Sequence, residues 1–492
     1  MEKFDLCVIG GGPSGYAAAM RALDFKKKVL LIEKEKLGGA GLYNGALWSK
    51  TMWEYSQRVA AIRQAVPTYE VSYANVKQQL EDALLERGGQ MQRHTQLLEE
   101  RNNATQGLTF IKGTGKLITA NTIEVQNSLV KFEVEATYTL LATGSRPRKL
   151  DHINIDEQTI CTSDGVNNFE DFPSSLVILG AGVVGCEFAT IFSNFGKTKV
   201  YLIDKADRIL PFEDEDVSST VTENLEKNGV VIHKNSSLVR MEIKNGRVEY
   251  ELAYTDGRRE ILTVDKALVS VGRVGNIENI GLEEVGVTIS PKQNIQDSDT
   301  QTNIPNIYVA GDLTSQMALV HVGEREARHA VVRMFGKVAK PIEYGNISTI
   351  MFLNPEVASV GMGQDEAKNK NVPVKIVKLD YSLIARAIAM RKTKGFFKII
   401  VSNDKEMKIL GMRAVGEHAS SAIQAIAYLM YTNQGIEDLA NMMHPHPSII
   451  EGIQECLRML LKKSIYKPSV FKDKLQAFSC VNGYCTPIEF ID

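Results

Sequence analysis

The sequence predicts an α/β fold with two Rossmann-like dinucleotide-binding domains and a C-terminal α+β domain. Three observations carry this. Phe4 to Glu33 reads as a strand, a glycine-rich turn, an alanine-rich helix and a second strand that ends in an acid. The same order returns from Ser175 to Asp204. From about residue 345 strands and helices alternate without that turn.

In the first unit, Phe4-Asp5-Leu6-Cys7-Val8-Ile9 is an apolar run of strand length. In the turn Gly10-Gly11-Gly12-Pro13-Ser14-Gly15, Gly10 permits the bend after the strand. Gly12 lets a pyrophosphate approach the backbone, and Gly15 lets the helix pack close to the sheet. The helix start then offers free N–H groups and a partial positive charge to phosphates. Glu33 closes the unit, where a carboxylate accepts from ribose hydroxyls. The second unit assigns Gly180, Gly182, Gly185 and Asp204 to another dinucleotide by the same logic. One G-x-G-x-x-G is weak; two copies in full βαβ context, each closed by an acid, are strong. A carboxylate at Asp204 repels a 2′-phosphate and favours NADH over NADPH, while Lys205 and Arg208 nearby weigh the other way.

Thr51 to Asn103 is rich in Gln, Glu, Arg and Leu at helical spacing and predicts two long helices; residues 106–142 read as short strands. Residues 229–271 alternate apolar and polar around the turns Asn245-Gly246 and Asp256-Gly257. In the last region Gly395 to Ser402 and Ile409 to Val415 read as strands, and Ser420 to Thr432 and Ser448 to Lys463 as helices. After Lys467-Pro468 the Pro, Gly and Asn content favours loop over helix.

Composition is that of a soluble globular chain, 44% hydrophobic and 24% charged, with a net charge of −2. That balance gives no electrostatic reason to expect nucleic acid or an anionic membrane surface, and no window approaches a membrane span. A strand begins almost at once with no visible leader, so a cytoplasmic setting is expected, a processed organellar form being the alternative. Cys7 and Cys186 lie in apolar patterns, and Cys161 and Cys456 carry no motif. No Cys/His cluster suggests a metal. Cys480 and Cys485 form a C-x4-C pair near the end.

Motifs in matching order run from residue 4 to about 465. They include Ala142-Thr143-Gly144-Ser145-Arg146-Pro147, Ser270-Val271-Gly272-Arg273-Val274-Gly275-Asn276 and Ile307-Tyr308-Val309-Ala310-Gly311-Asp312. Ala318-Leu319-Val320-His321, Asn354-Pro355-Glu356-Val357-Ala358-Ser359-Val360-Gly361 and His444-Pro445-His446-Pro447-Ser448-Ile449-Ile450-Glu451 follow. The chain resembles the pyridine nucleotide-disulfide oxidoreductases, of the dihydrolipoamide dehydrogenase and glutathione reductase kind. The resemblance implies an FAD-binding domain at 1–150 and 271–344 and an NAD(P)-binding domain at 151–270. A dimerisation domain at 345–467 and a tail at 468–492 complete the expected homodimer. FAD is expected on Gly10, Gly12, Gly15, Glu33, Thr143, Gly144 and Asp312, with Ala318 beside the flavin, and NAD(H) on the second unit with Gly272. Lys50 and Glu187 occupy the positions of an ion pair at the reactive flavin edge; His446, held by Glu451, is the proton-transfer base supplied by the partner subunit.

One segment departs from the family. Gly38-Gly39-Ala40-Gly41-Leu42-Tyr43-Asn44-Gly45-Ala46-Leu47-Trp48-Ser49-Lys50 resembles the redox-disulfide stretch, with Gly41 and Ala46 at the two cysteine positions and Trp48 at the proline. Hydride entry from NADH into FAD needs no cysteine, but the second half-reaction needs an acceptor. Either Cys480 and Cys485 form a relocated tail disulfide, as in relatives whose tails reach the partner's active site, or the acceptor is an external small molecule. The second case includes quinone reductase, diaphorase and nicotinamide transhydrogenase activity, with Tyr43 and Trp48 as an aromatic platform or as packing. A non-catalytic flavoprotein subunit is the reading from another class, against which the intact second nucleotide motif stands.

Overall fold

A computed structural model describes residues 1–103, 105–338 and 340–489. It divides into two compact units: Met1–Pro173 with Glu242–Val248 and Lys266–Ile342, and Ser174–Met241 with Glu249–Asp265 and Glu343–Asp492.

The first unit is centred on a parallel sheet. Strand Glu2–Ile9 lies between Lys28–Glu33 and Lys131–Leu141, with Gly107–Lys112 outside the former and Ile307–Val309 beside the latter. Leu6, Val8, Leu31 and Leu140 face helices Pro13–Asp24 and Val320–Phe335 on one side. Cys7, Ile9, Leu30 and Ile32 face the other side. Both faces are covered, which is why these strands read as continuous apolar runs. The expected helix pair is Ala46–Ala65 and Tyr73–Glu99, and residues 106–142 form the expected short strands.

In the second unit Ser175–Leu179, Lys199–Ile203 and Val231–His233 pair in parallel, with helix Val183–Phe195 between the first two in sequence. An antiparallel sheet follows in the order 348–351, 357–361, 409–415, 396–402, 374–380, 475–481, 484–487. Strands Phe396–Ser402 and Ile409–Val415 and helix Ala419–Thr432 lie where the sequence placed them. The last helix is shorter than expected, Glu451–Leu460. Its carboxylate at Glu451 binds back to the Ser448 N–H, which fixes 448–450 as a turn.

The tail corrects the expectation of a loop. Leu475–Val481 and Tyr484–Pro487 form a hairpin whose first strand pairs with Val374–Asp380, from Val374↔Cys480 to Leu379↔Leu475. Asn482 (φ 51°) and Gly483 (φ 78°) make the two-residue turn. Leu475 and Ala477 enter the main core of this region, while Cys480 packs against Ala367, Val374 and Ile400 on the opposite face. The last three tail residues, 490–492, lie outside the described residues.

Candidate active site

At the first glycine turn the residue types are forced by space. Gly10 has φ 109°, and a Cβ there would stand 2.2 Å from the Ala142 carbonyl oxygen; one at Gly15 would stand 1.8 Å from the Gly10 oxygen. Gly12 differs: nothing lies within 4 Å of where its Cβ would be. It caps a twelve-residue helix that has no side-chain cap, so the first N–H groups face open space. A helix start of this kind can cradle a phosphate. Glu33 is anchored at the rim, one oxygen accepting from Gly11 N–H (2.7 Å) and the other from Glu35 N–H (2.7 Å).

The family segments converge in the same unit. Thr143 Oγ1 donates to the Asn276 carbonyl at 2.6 Å, and the Asn276 amide returns a bond to Thr143 O at 2.9 Å. Ser145–Pro147 pairs antiparallel with Arg273–Gly275. Ser145 Oγ donates to Asp312 at 2.5 Å and accepts from Arg273 Nε at 2.8 Å, which orients the aspartate. Gly144 (φ 69°) and Gly272 (φ 106°) both face open space. Ala318 is exposed just before helix Val320–Phe335. Two positions escaped sequence reasoning. Buried Glu326 accepts from Gly311 N–H at 2.7 Å, beside Asp312. Ser14 fills the gap between Gly311 and Gly323, where either Cβ would stand within 2.5 Å of its hydroxyl. An acid within the small-residue stripe Gly323, Ala327, Ala330 was the available signal.

The glycine segment is packed closely on this cradle. Gly38 N–H donates to Gly11 O at 2.8 Å, and a Cβ at Gly41 would lie 2.4 Å from the Pro13 ring. The Tyr43 hydroxyl occupies the space over Gly88, and Trp48 is buried in helix Ala46–Ala65. Both aromatics are packing residues. Lys50 is half-buried on that helix.

In the second unit Asp204 repeats the role of Glu33, accepting from Ala181 N–H (2.7 Å) and Ala206 N–H (2.9 Å). Gly180 has φ 101°. Gly182 caps helix Val183–Phe195 with no side-chain cap and open space at its Cβ position. Gly185 is buried in the first turn. Arg208 donates to the Pro211 and Glu213 carbonyls and to Asp365 (3.0 Å). Buried Glu187 accepts from Phe352 N–H at 3.0 Å.

His446 and Glu451 come together as expected, Nδ1 to Oε1 at 2.9 Å, with the histidine side chain 70% exposed. Burial works against the Glu451 charge, yet the Ser448 N–H and His446 hold its carboxyl below the usual glutamate range. Cys480 and Cys485 are joined as a cross-strand disulfide within the tail hairpin. Cys7, Cys161, Cys186 and Cys456 are free and buried, and burial pushes each thiol well up, which makes them inert.

Two family models match in sequence order. The pyridine nucleotide-disulphide oxidoreductase model covers residues 4–327, and the dimerisation domain of the same family covers 347–457. The chain belongs to this family. It is similar to the dihydrolipoyl dehydrogenase of Chlamydia muridarum, 31% identical over 486 residues with 96% of this chain and 100% of that one covered. It is 30% identical over 473 residues to a dihydrolipoyl dehydrogenase of Bacillus subtilis, covering 94% and 99%. Among solved structures, LpdA from Mycobacterium tuberculosis superposes with a TM-score of 0.85 at 26% identity, covering 94% of this chain and 100% of that one. The flavoprotein disulfide reductase RclA from Escherichia coli shares the fold, with a TM-score of 0.84 at 22% identity over 94% of this chain and all of that one. The chain is thus a flavin-dependent pyridine nucleotide oxidoreductase that uses FAD and NAD(H). The two open glycine cradles, each with a rim carboxylate, fit those two dinucleotides. Among the described residues no helix is long and apolar enough to cross a membrane.

Proposed function

We propose that this chain oxidises NADH through FAD and hands the electrons to an external acceptor, without a disulfide of the usual kind beside the flavin. Bound FAD supplies hydride acceptance from NADH and electron release singly or in pairs. The chain does the rest. The N–H groups after Gly12 and Gly182 hold the pyrophosphates, and Glu33 and Asp204 hold the riboses. Asp204, with Arg208 engaged elsewhere, favours NADH over NADPH. Lys50 and Glu187 keep the roles the resemblance assigns, Lys50 stabilising negative charge on the reduced ring. His446, oriented by Glu451, supplies a proton to the reduced acceptor across a homodimer. The proposed division keeps an FAD-binding domain at 1–150 and 271–344, an NAD(P)-binding domain at 151–270 and a dimerisation domain at 345–467, to whose sheet the tail adds two strands.

The tail carries this choice of acceptor. A strand paired with Val374–Asp380, with Leu475, Ala477 and Cys480 buried and Cys485 exposed on the outer strand of the hairpin, is a poor candidate for a swinging redox arm. Undocking it would uncover Leu475, Ala477 and Cys480, at a cost of about 2 kcal/mol for the leucine by itself. The absence of cysteine at Gly41 and Ala46 supports the same reading. The competing reading, a tail disulfide that relays electrons, is favoured by the formed Cys480–Cys485 bond itself. Anaerobic NADH titration of the parent and of Cys480→Ser separates the two. Two electrons per flavin in both are expected. Four in the parent and two in the variant would establish the tail as a redox centre.

A further inference from the structure

His446 sits on the loop between helices Ile436–Asn441 and Glu451–Leu460, and both ends of that loop are gripped from one helix face. Glu451 takes the far end, accepting from the His446 ring at 2.9 Å and the Ser448 N–H at 2.7 Å. Gln454, three residues on and so on the same face, takes the near end. Its amide nitrogen donates one N–H to the Ala440 carbonyl at 2.9 Å and the other to the Met442 carbonyl at 2.8 Å. These are carbonyls that a helix C-terminus leaves without a partner within the helix. His444 Nε2, at 3.1 Å, meets the carbonyl of Leu439 just before them. The Gln454 side chain is 5% exposed, so water does not substitute easily for its donors. The Met442 and Met443 side chains are exposed in the single chain.

We propose that Gln454 is a positioning residue for His446: its buried amide clamps the start of the loop so that Glu451 can orient the imidazole at the end. This rests on the reading of His446 as proton donor to the acceptor. In that step a quinone takes a hydride equivalent from reduced flavin and a proton from the imidazolium, giving the hydroquinone, and water reprotonates the ring. A one-electron acceptor such as ferricyanide takes no proton and bypasses His446.

The test compares the parent, Gln454→Met, Gln454→Asn, His446→Gln and the double variant His446→Gln/Gln454→Met, all as FAD-loaded full-length protein. Turnover is measured with a quinone and with ferricyanide. Hydrogen exchange is followed at residues 441–446. Gln454→Met keeps the side-chain length but removes both donors. It is expected to lose roughly tenfold in quinone turnover, to keep ferricyanide turnover, and to exchange faster at 442–444. Gln454→Asn, which keeps the amide on a shorter stem, is expected to fall between it and the parent and guards against a folding failure of the first variant. The double variant is expected to match His446→Gln alone. Equal losses with both acceptors, a further loss in the double variant, or unchanged exchange in Gln454→Met would overturn the proposal. Full quinone turnover in His446→Gln would instead overturn the proton-donor reading beneath it.

Discussion

The two glycine units of this chain are built alike down to single hydrogen bonds, and they differ in a turn residue and in the rim acid that lies against it. In each, the second residue of the turn donates its N–H to the rim acid: Gly11 to Glu33 and Ala181 to Asp204, both at 2.7 Å. In each, the carbonyl of that residue accepts from a left-handed position further along: Gly38 (φ 106°) at 2.8 Å and Leu210 (φ 47°) at 2.9 Å. Within this shared scheme the second residue is glycine in one unit and alanine in the other, and the acid it meets is glutamate in one and aspartate in the other. A Cβ at Gly11 would stand 2.9 Å from the Glu33 Cβ and 3.2 Å from its Cγ. Asp204 lacks one methylene, and Ala181 is fully buried in the corresponding place. A methyl at position 11 would press on the Glu33 Cβ, which an aspartate shares, on its Cγ and on Leu37 Cδ1 at 3.0 Å, so the glycine answers the whole pocket and not the acid's length alone.

The bluntest way to break this comparison is Gly10→Ala. The new methyl meets the Ala142 backbone at 2.2 Å, in a left-handed conformation that alanine resists. The variant is expected to purify without yellow colour, read as the flavin-to-protein absorbance ratio.

The second unit carries a burden that its likeness to the first conceals. Beyond Leu210 the chain reaches Asp214 and Asp216, which bracket the Lys398 ammonium at 2.7 and 2.6 Å with that lysine 1% exposed. Burial opposes the charge of both acids, yet Lys398 beside them holds both carboxyls below the usual aspartate range. Lys398→Met leaves buried Asp214 with only the Gln364 and Asp365 N–H groups and half-buried Asp216 with Lys378, and is expected to cost about 3–5 kcal/mol in urea unfolding. The sign of the pH dependence should invert as well. With depressed native pKa values, the parent keeps this contribution above the ordinary aspartate range and loses it as the pH falls through the depressed values. In the variant burial acts unopposed by Lys398, so its deficit should shrink on acidification.

Gly11→Ala tests the coupling of turn and acid directly. Crowding Glu33 and Leu37 is expected to cost about 1–3 kcal/mol, and adding Glu33→Asp should recover only the share due to the Cγ, because the contacts with the residue 33 Cβ and with Leu37 remain, measured as thermal stability and FAD affinity. If the double variant is no better than the single, the two positions are independent. The mildest effect is expected at Asp204→Ala, a rise of roughly tenfold in the KM for NADH, equivalent to about 1.4 kcal/mol. No gain with NADPH should follow, because Arg208 stays with Asp365 and two carbonyls.

Much of the site was legible because its residues act within a few positions of one another. The turn glycines, the helix start and the rim acid lie on one continuous segment, and His446 is held by an acid five residues away. Glu326 and Ser14 were not legible. Their roles arise where helix Val320–Phe335 crosses the first glycine turn, and neither stretch of sequence marks that crossing. The tail was legible in part. Val481-Asn482-Gly483-Tyr484 is a hairpin signal, since Asn and Gly both accept the left-handed backbone that a two-residue turn requires. Reading that stretch as loop counted the turn formers and missed their place between two strands.

By itself the sequence determined what local chemistry can determine: two dinucleotide cradles, the acids at their rims, and the histidine with its carboxylate. Each follows from the conformation or charge of a residue and its near neighbours. Only the tertiary structure decided that the Pro13 ring fills the space beside Gly41, that Tyr43 and Trp48 are packing, and that Cys480 lies in a strand of the sheet. Those outcomes depend on which distant segments share a surface. The strand Val374–Asp380 had an edge to offer, and nothing in its own residues says that the segment about a hundred positions on would take it.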